Sequence, residues 1–396
     1  MFKNKFLEGY TDVKVFGANG NGISDDTAAF KKALEANRAK IYIPKGVYSV
    51  SLPLSLSSGT AIIADPEARV RLADGAGINN EICLLRNSDY KNGNADIRIE
   101  GGTWDLNCQN NPRGEEYNPL AYPGVCFSFI KVKGLRVCNT AIVNPDSFYL
   151  RIGETENFHF ENIKFSTSSI HPNQDGVHIG GFCRNGVIRN IQGITPHTPN
   201  DDMIAINADD DVTRHFNRGM KCGPIENIIV ESIKAVSAYT FVRLLSCGSP
   251  IRNILLRNLS GSVEHYAVNA NSWRFAKGTG LLENIVICDM KVNKLDDNRN
   301  SRPLIIINSK VKNFIVDNYI RGDSTAAPTL HIDNNSINSL VCEGLTEEQL
   351  ESLEADCNVL FKENDCLRGV IDKELVLKNG SIERLFLTSG VGGTSH

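Results

Sequence analysis

The chain is 396 residues long, with 42 Lys and Arg against 46 Asp and Glu, a formal charge of −4. This mild acidity excludes a protein that grips a nucleic-acid backbone, which needs a concentrated basic face. Hydrophobic residues at 41% and charged residues at 22% exclude wholesale disorder, and no stretch reaches the ~18 apolar residues of a membrane helix, so no membrane partner is expected.

The first residues, Met1 to Gly17, carry lysines but no apolar core of leader-peptide length and no small-residue cleavage site. That predicts a cytoplasmic chain, or a secreted one if a leader has been trimmed. Eleven cysteines are scattered singly with no Cys-x-x-Cys pair, which predicts reduced thiols and no thiolate metal site. Ser24-Asp25-Asp26-Thr27 precedes an Ala-Ala-Phe-Lys-Lys-Ala-Leu run and predicts a capped amphipathic helix, followed by strand residues from Lys40 to Tyr48.

From there asparagine organises the chain. It occurs 41 times, and it recurs in matched segments that begin at Asn157, Asn185, Asn227, Asn253, Asn284 and Asn313. The spacings are 28, 42, 26, 31 and 29 residues, an internal repeat with one long insertion. Each unit reads as short strands of alternating apolar residues separated by polar turns. One such coil cannot bury its apolar face alone, but stacked coils can. The small polar residues at 162, 190, 232, 258, 289 and 318 are then expected to form a ladder, because Asn tolerates the left-handed backbone of such a turn. The expectation is an all-β parallel β-helix, one domain of roughly eight to ten coils. Residues 11–50 form an N-terminal cap, 51–342 the coils and 343–396 a C-terminal cap. In that last cap, Leu345-Thr346 starts a helix and residues 370–388 form a hairpin around Lys378-Asn379-Gly380-Ser381.

Two stretches carry a family resemblance: Val15-Phe-Gly-Ala-Asn-Gly-Asn-Gly-Ile-Ser-Asp-Asp-Thr-Ala-Ala-Phe30, and then Ile43-Pro-Lys-Gly-Val-Tyr48. They resemble the N-terminal signature of the pectate-lyase-like right-handed parallel β-helix proteins, and especially glycoside hydrolase family 28, the polygalacturonases and relatives. The repeats extend the likeness across roughly residues 11–340. The signature is more specific for fold than for activity, because lyases, epimerases and phage adhesins share it.

The strongest chemical constellation is Asn173-Gln174-Asp175-Gly176, then Asp201-Asp202. Aligning Asp175-Gly-Val-His-Ile with Asp202-Met-Ile-Ala-Ile gives an offset of 27 residues, one coil, so the acids stack ~4.8 Å apart. Carboxylates in one patch raise at least one pKa, and a raised acid beside an ionised base is what glycoside hydrolysis requires. The resemblance to family 28 implies an inverting hydrolase in which Asp201 is the general acid and Asp175 and Asp202 hold and deprotonate water, with an acid–base gap of roughly 6.5–9.5 Å. The family's next motifs, Gly-His-Gly and Arg-x-Lys, are missing: the corresponding coils read Ser237 to Leu245 and Glu264 to Trp273.

Extending the alignment places Arg151, His178, Ala205 and Arg243 in one outward column, between apolar inward neighbours. Arg151, His178 and Arg243 are therefore expected at the substrate, where a guanidinium could grip an anionic sugar. Asn173 joins them through the resemblance. Tyr239 and Trp273, with Tyr149 and Phe241, are candidate sugar-lining aromatics, although core packing serves each equally well. The insertion Asp209 to Gly223 and the shorter Thr195 to Asn200 are expected to overhang the site and to make the enzyme exo-acting. Asp209-Asp210-Asp211 lacks cation-loop spacing and reads as a solvated charge run. No metal is expected, and with no phosphate loop or dinucleotide fingerprint in a working place, no cofactor. The expected partner is an oligo- or polysaccharide; oligomeric state is left open. The alternatives are a polysaccharide lyase or uronate epimerase, or a non-catalytic carbohydrate-binding β-helix.

Overall fold

The computed structural model describes residues 7–35, 38–272, 280–295, 302–323, 325, 327, 329–332, 359–362, 372–378 and 381–387. Its backbone winds into coils whose strands pair in parallel with the coil before and the coil after. One long face is built from Ala61–Leu72, Asn94–Asp105, Val132–Val143, Glu156–Ser166 and Arg184–Gly193, then the first parts of Ile225–Leu245 and Ile251–Ala270, then Leu282–Lys294. Across it, Ile62, Ile99, Val137, Phe160, Ile188, Val230, Leu256 and Ile287 stand in successive register. Each is essentially inaccessible to solvent. A stack of this kind explains the alternation: every second residue adds one layer to a continuous core that no single coil could bury. The second, shorter face runs through Phe127–Ile130, Leu150–Gly153, Val177–Ile179 and Asp202–Asn207.

The expected asparagine ladder is present, and it is double. Asn157, Asn185, Asn227, Asn253 and Asn284 all have φ near +57°, and so do Asn162, Asn190, Ser232, Asn258 and Asp289. Side-chain amides link consecutive coils, from Asn185 Nδ2 to Asn157 Oδ1 at 3.3 Å, Asn227 to Asn185 at 3.1 Å and Asn253 to Asn227 at 2.9 Å. The second ladder includes Asn190 Nδ2 to Asn162 Oδ1 at 3.1 Å. Asn190→Ala should therefore lower stability by about 1–2 kcal/mol, from the left-handed backbone and the lost amide bond together. Asn190→Gly should lose less. Urea midpoints of the two variants test this; equal midpoints would mean that backbone conformation contributes nothing.

The N-terminal helix spans Thr27–Leu34 and buries Ala29, Phe30, Ala33 and Leu34 on the first coil. The expected cap is only half right. Asp26 stands at the N-cap, but its side chain makes no bond to the helix. Its carboxylate instead accepts from Asn19 N at 2.6 Å and Gly20 N at 3.2 Å, fastening the glycine-rich loop to the helix. Asp25 accepts from Thr27 N at 2.9 Å. At the other end, Asp372–Lys378 and Ser381–Leu387 pair antiparallel as the expected hairpin; the helix expected from Leu345 lies outside the described residues. Among the described residues no helix is long and apolar enough to cross a membrane, and the cysteines are free thiols.

Candidate active site

The 27-residue offset places Val177 beside Ile204 and His178 beside Ala205, and the next coil adds Val242 and Arg243 in the same two columns. Asp175 and Asp202 therefore enter their strands one above the other, with Asp202 N donating to Asp175 Oδ1 at 3.3 Å. Gly176 permits this approach: a Cβ there would meet the Met203 carbonyl at 2.5 Å and the Phe165 ring at 2.8 Å. A carboxylate oxygen from each of Asp175, Asp201 and Asp202 lies within 4.8 Å of the other two. That is tighter than the expected acid–base gap. Asp175 and Asp202 sit on neighbouring rungs at the strand spacing, and Asp201 adjoins Asp202 along the chain.

Exposure sorts the three. Asp175 and Asp202 are each only 4% exposed, whereas Asp201 is half-buried. Burial, and then the charge of Asp201, pushes the carboxyls of Asp175 and Asp202 well above the ordinary range. Asp201 is also raised by burial, but Arg243 and Arg214 pull against the rise. Arg243 is half-buried, and among the described residues its guanidinium reaches only the Asn271 carbonyl, at 3.5 Å.

The insertion folds back over the preceding coils and covers Arg151 and His178 of the outward column. Arg214 Nε meets Glu116 Oε1 at 2.7 Å. His215 N donates to the Glu116 carbonyl at 2.9 Å, and Arg218 pairs with Glu81 while donating to the Asn80 carbonyl at 2.9 Å. Phe216 plugs the roof. It packs edge-on against Phe148 at 5.1 Å, between the guanidinium groups of Arg113 and Arg214 at 5.6 and 5.5 Å. Phe148 in turn stacks on His178 at 4.0 Å. The shorter insertion is fastened on the other side, where His197 N donates to Ser237 Oγ at 2.8 Å and Nδ1 pairs with Glu264.

This roof corrects several expectations. Arg151 is 4% exposed; it binds Ser128 Oγ at 2.9 Å and the Phe216 carbonyl, so it props the insertion and does not reach a sugar. His178 is fully buried between Asp175 and Asp210 and is likewise out of substrate reach. The Asp209–Asp211 run is not a solvated face. Asp209 Oδ2 accepts three backbone N–H groups, from Cys247, Gly248 and Ser249 at 2.7–2.8 Å, Asp210 meets His178, and Asp211 caps Thr213. Tyr149 and Phe241 are core side chains. Asn173 is half-buried beside the acids, with its Oδ1 accepting from Arg113 at 3.3 Å. Tyr239 is half-buried one coil on, its ring 3.7 Å from that of His265. Trp273 lies outside the described residues. Residues missed from sequence are Arg113, Arg214 and Asp210. All three come from long loops, where the repeat period carries no positional signal.

With the fold and this acid cluster in view, the chain was compared with known proteins. Residues 10–110 match a family model described as rhamnogalacturonase A/epimerase, pectate lyase-like. A probable polygalacturonase of Arabidopsis thaliana is 25% identical over 317 residues, which cover 74% of this chain and 63% of that protein; the chain thus spans less than two thirds of that relative. Among solved structures, a hyperthermoactive exopolygalacturonase from Thermotoga maritima superposes with a TM-score of 0.60 at 15% identity, over 82% of this chain and 90% of that one. The Streptococcus pneumoniae surface adhesin PfbA superposes with the same score at 16% identity, over 82% and 88%. The fold these structures share with the chain is the parallel β-helix. In sequence and fold the chain is similar to the polygalacturonases of glycoside hydrolase family 28.

Proposed function

We propose that this protein is an inverting glycoside hydrolase that works from the end of an acidic, pectin-type oligosaccharide. The observation that carries the reading is the graded carboxylate cluster of one half-open acid, Asp201, over two buried ones, Asp175 and Asp202. Asp201 donates its proton to the glycosidic oxygen, and the anion it becomes is stabilised by Arg243, Arg214 and Arg113. Asp175 and Asp202 hold a water. At 4% exposure they are too deep to form a covalent bond to an anomeric carbon, which favours direct attack by water over a glycosyl intermediate despite their closeness to Asp201. The roof tied to Glu116, Glu81 and Asn80 supports exo-action, because it anchors the insertion over the earlier coils beside the acids.

The deciding experiment is digestion of a panel of pectin-derived and neutral oligosaccharides, followed by anomeric proton NMR and by ultraviolet absorbance. Saturated products of inverted configuration, released one or two sugars at a time, are expected. Retained configuration would refute the water-held mechanism. Absorbance of unsaturated uronates that depends on a divalent cation would make the protein a lyase, a reading the same three carboxylates favour, because they are close enough to share one ion. Binding without turnover would place it with non-catalytic β-helices.

A second expectation concerns Arg243. Arg243→Gln should raise KM for uronate-containing oligosaccharides about tenfold, the loss of one charge-assisted contact, and leave neutral ones unchanged. Removing the cation also lets the Asp201 pKa rise, so the alkaline limb of the kcat/KM profile should move to higher pH.

A further inference from the structure

The reading above leaves open which of the two buried carboxyls takes the proton of water, and the groups around His178 answer this. Its ring is sealed from solvent: Phe148 lies over one face at 4.0 Å, Arg151 stands one rung before it and Ala205 one rung after. Nδ1 is 2.6 Å from Asp175 Oδ2. Nε2 is buried and makes no hydrogen bond, and the Asp210 carboxylate stands beside it, Oδ2 at 3.3 Å. Asp210 itself is supported as an anion, with Oδ1 accepting from Asp211 N at 2.7 Å and Oδ2 facing Asn207 Nδ2 at 3.4 Å. Burial opposes the charge of Asp210, but His178, Arg214 and the Asp211 N–H outweigh it and hold its carboxyl below the ordinary value. Burial also keeps the imidazole neutral, its pKa lowered to about 4. A neutral imidazole carries one N–H. Facing an anion, that N–H belongs on Nε2, which leaves Nδ1 bare and able only to accept.

We propose that Asp210 and His178 assign the protons of the acid cluster: His178, held as its Nε2–H tautomer by Asp210, accepts the carboxyl proton of Asp175 at Nδ1, and Asp202, relieved of the Asp175 charge, is the general base. This deepens the hydrolase reading and rests on it for the catalytic consequence, though not for the tautomer. Asp175 is then a neutral prop that orients water, Asp201 the acid, and Asp202 the group that receives the water's proton as the C–O bond to the leaving sugar breaks. His178 and Asp210 are positioning residues: neither touches substrate. The Asp202 N–H on Asp175 Oδ1 pulls the other way, but at 3.3 Å it is the longer contact.

The test starts with the wild-type protein labelled with ¹⁵N-histidine. There are eight histidines, and His178→Gln assigns the signal. The expected spectrum shows Nε2 protonated and Nδ1 bare near neutral pH; Nδ1–H with bare Nε2, or a doubly protonated ring, would overturn the proposal. Asp210→Asn turns an acceptor into a group that can donate to Nε2, so it should flip the tautomer, ionise Asp175 and cut kcat about 100-fold or more with KM within about twofold. Asp210→Glu should restore most of the rate. An unchanged tautomer and unchanged kcat in Asp210→Asn would also overturn it. If the wild-type protein hydrolyses no sugar of the panel, the hydrolase reading fails, and the tautomer alone decides this inference.

Discussion

Asp201→Asn should abolish turnover, lowering kcat/KM by about 10³–10⁴-fold, the contribution of a positioned general acid. The substituted amide has the same shape but no proton to give, so the leaving sugar would depart as an unprotonated alkoxide. Asp201 is the half-open member of the cluster, and the change need not disturb the core. Wild-type circular dichroism and an unchanged Kd for the oligosaccharide are therefore expected beside the lost rate. Substrates with a phenolate-type leaving group need less help from an acid, so their loss should be several powers of ten smaller. If every substrate lost the same factor, Asp201 would not be acting by proton donation.

Asp202→Asn should do something less ordinary, inactivating the protein and making it more stable. Asp202 is 4% exposed and shares its pocket with two other carboxylates. Burial first, and then Asp201 and Asp175 as they ionise, raise its pKa well above the ordinary value. A carboxyl that binds its proton more tightly when folded than when unfolded favours the fold at low pH. It withdraws that support as pH rises through the raised value. The neutral amide removes the loss, so a gain of about 1–2 kcal/mol, or about 2 °C in Tm, is expected at pH 8 and little at pH 5. His178 works in the opposite direction over another window. Its lowered pKa, about 4, means that stability falls as pH drops from the ordinary histidine value of about 6.5 towards 4. Thermal melts from pH 4 to 9 should show wild type most stable under mildly acidic conditions, with the alkaline decline flattened in Asp202→Asn. A variant less stable than wild type at pH 8 would mean that the buried charge is better compensated than its neighbours suggest.

The winding of the chain was legible because turn chemistry and strand alternation repeat together. Two turns per coil need φ near +57°, which Asn tolerates, and the same spacing brings Asp175 under Asp202. That register followed from sequence because a strand has a period of two and admits no half-steps. The fate of the outward column was not legible. Arg151 and His178 do point away from the core, as the alternation implies. The 15-residue insertion from Asp209 to Gly223 then covers them, and no periodicity describes its path. For the same reason Asp210 looked like one member of a wet acidic run until the loop's fold delivered it to His178. The closeness of the three carboxyl groups comes from rung spacing between Asp175 and Asp202 and from the chain adjacency of Asp201 and Asp202.

The long coil has one more consequence. Asn185 and Asn227 are 42 residues apart, yet their amide contact, 3.1 Å, matches that of Asn253 and Asn284, 31 residues apart at 3.0 Å. Lengthening a coil from 28 to 42 residues adds only about 0.4 kcal/mol of loop-closure entropy. The scaffold is in this sense indifferent to what is carried at its corners. Roof segments on such a frame are exchangeable cassettes. A descendant could swap the Asp209–Gly223 segment for another, keep the Asp175/Asp201/Asp202 cluster untouched, and change both the sugar it admits and the proton arrangement of its base in one genetic event.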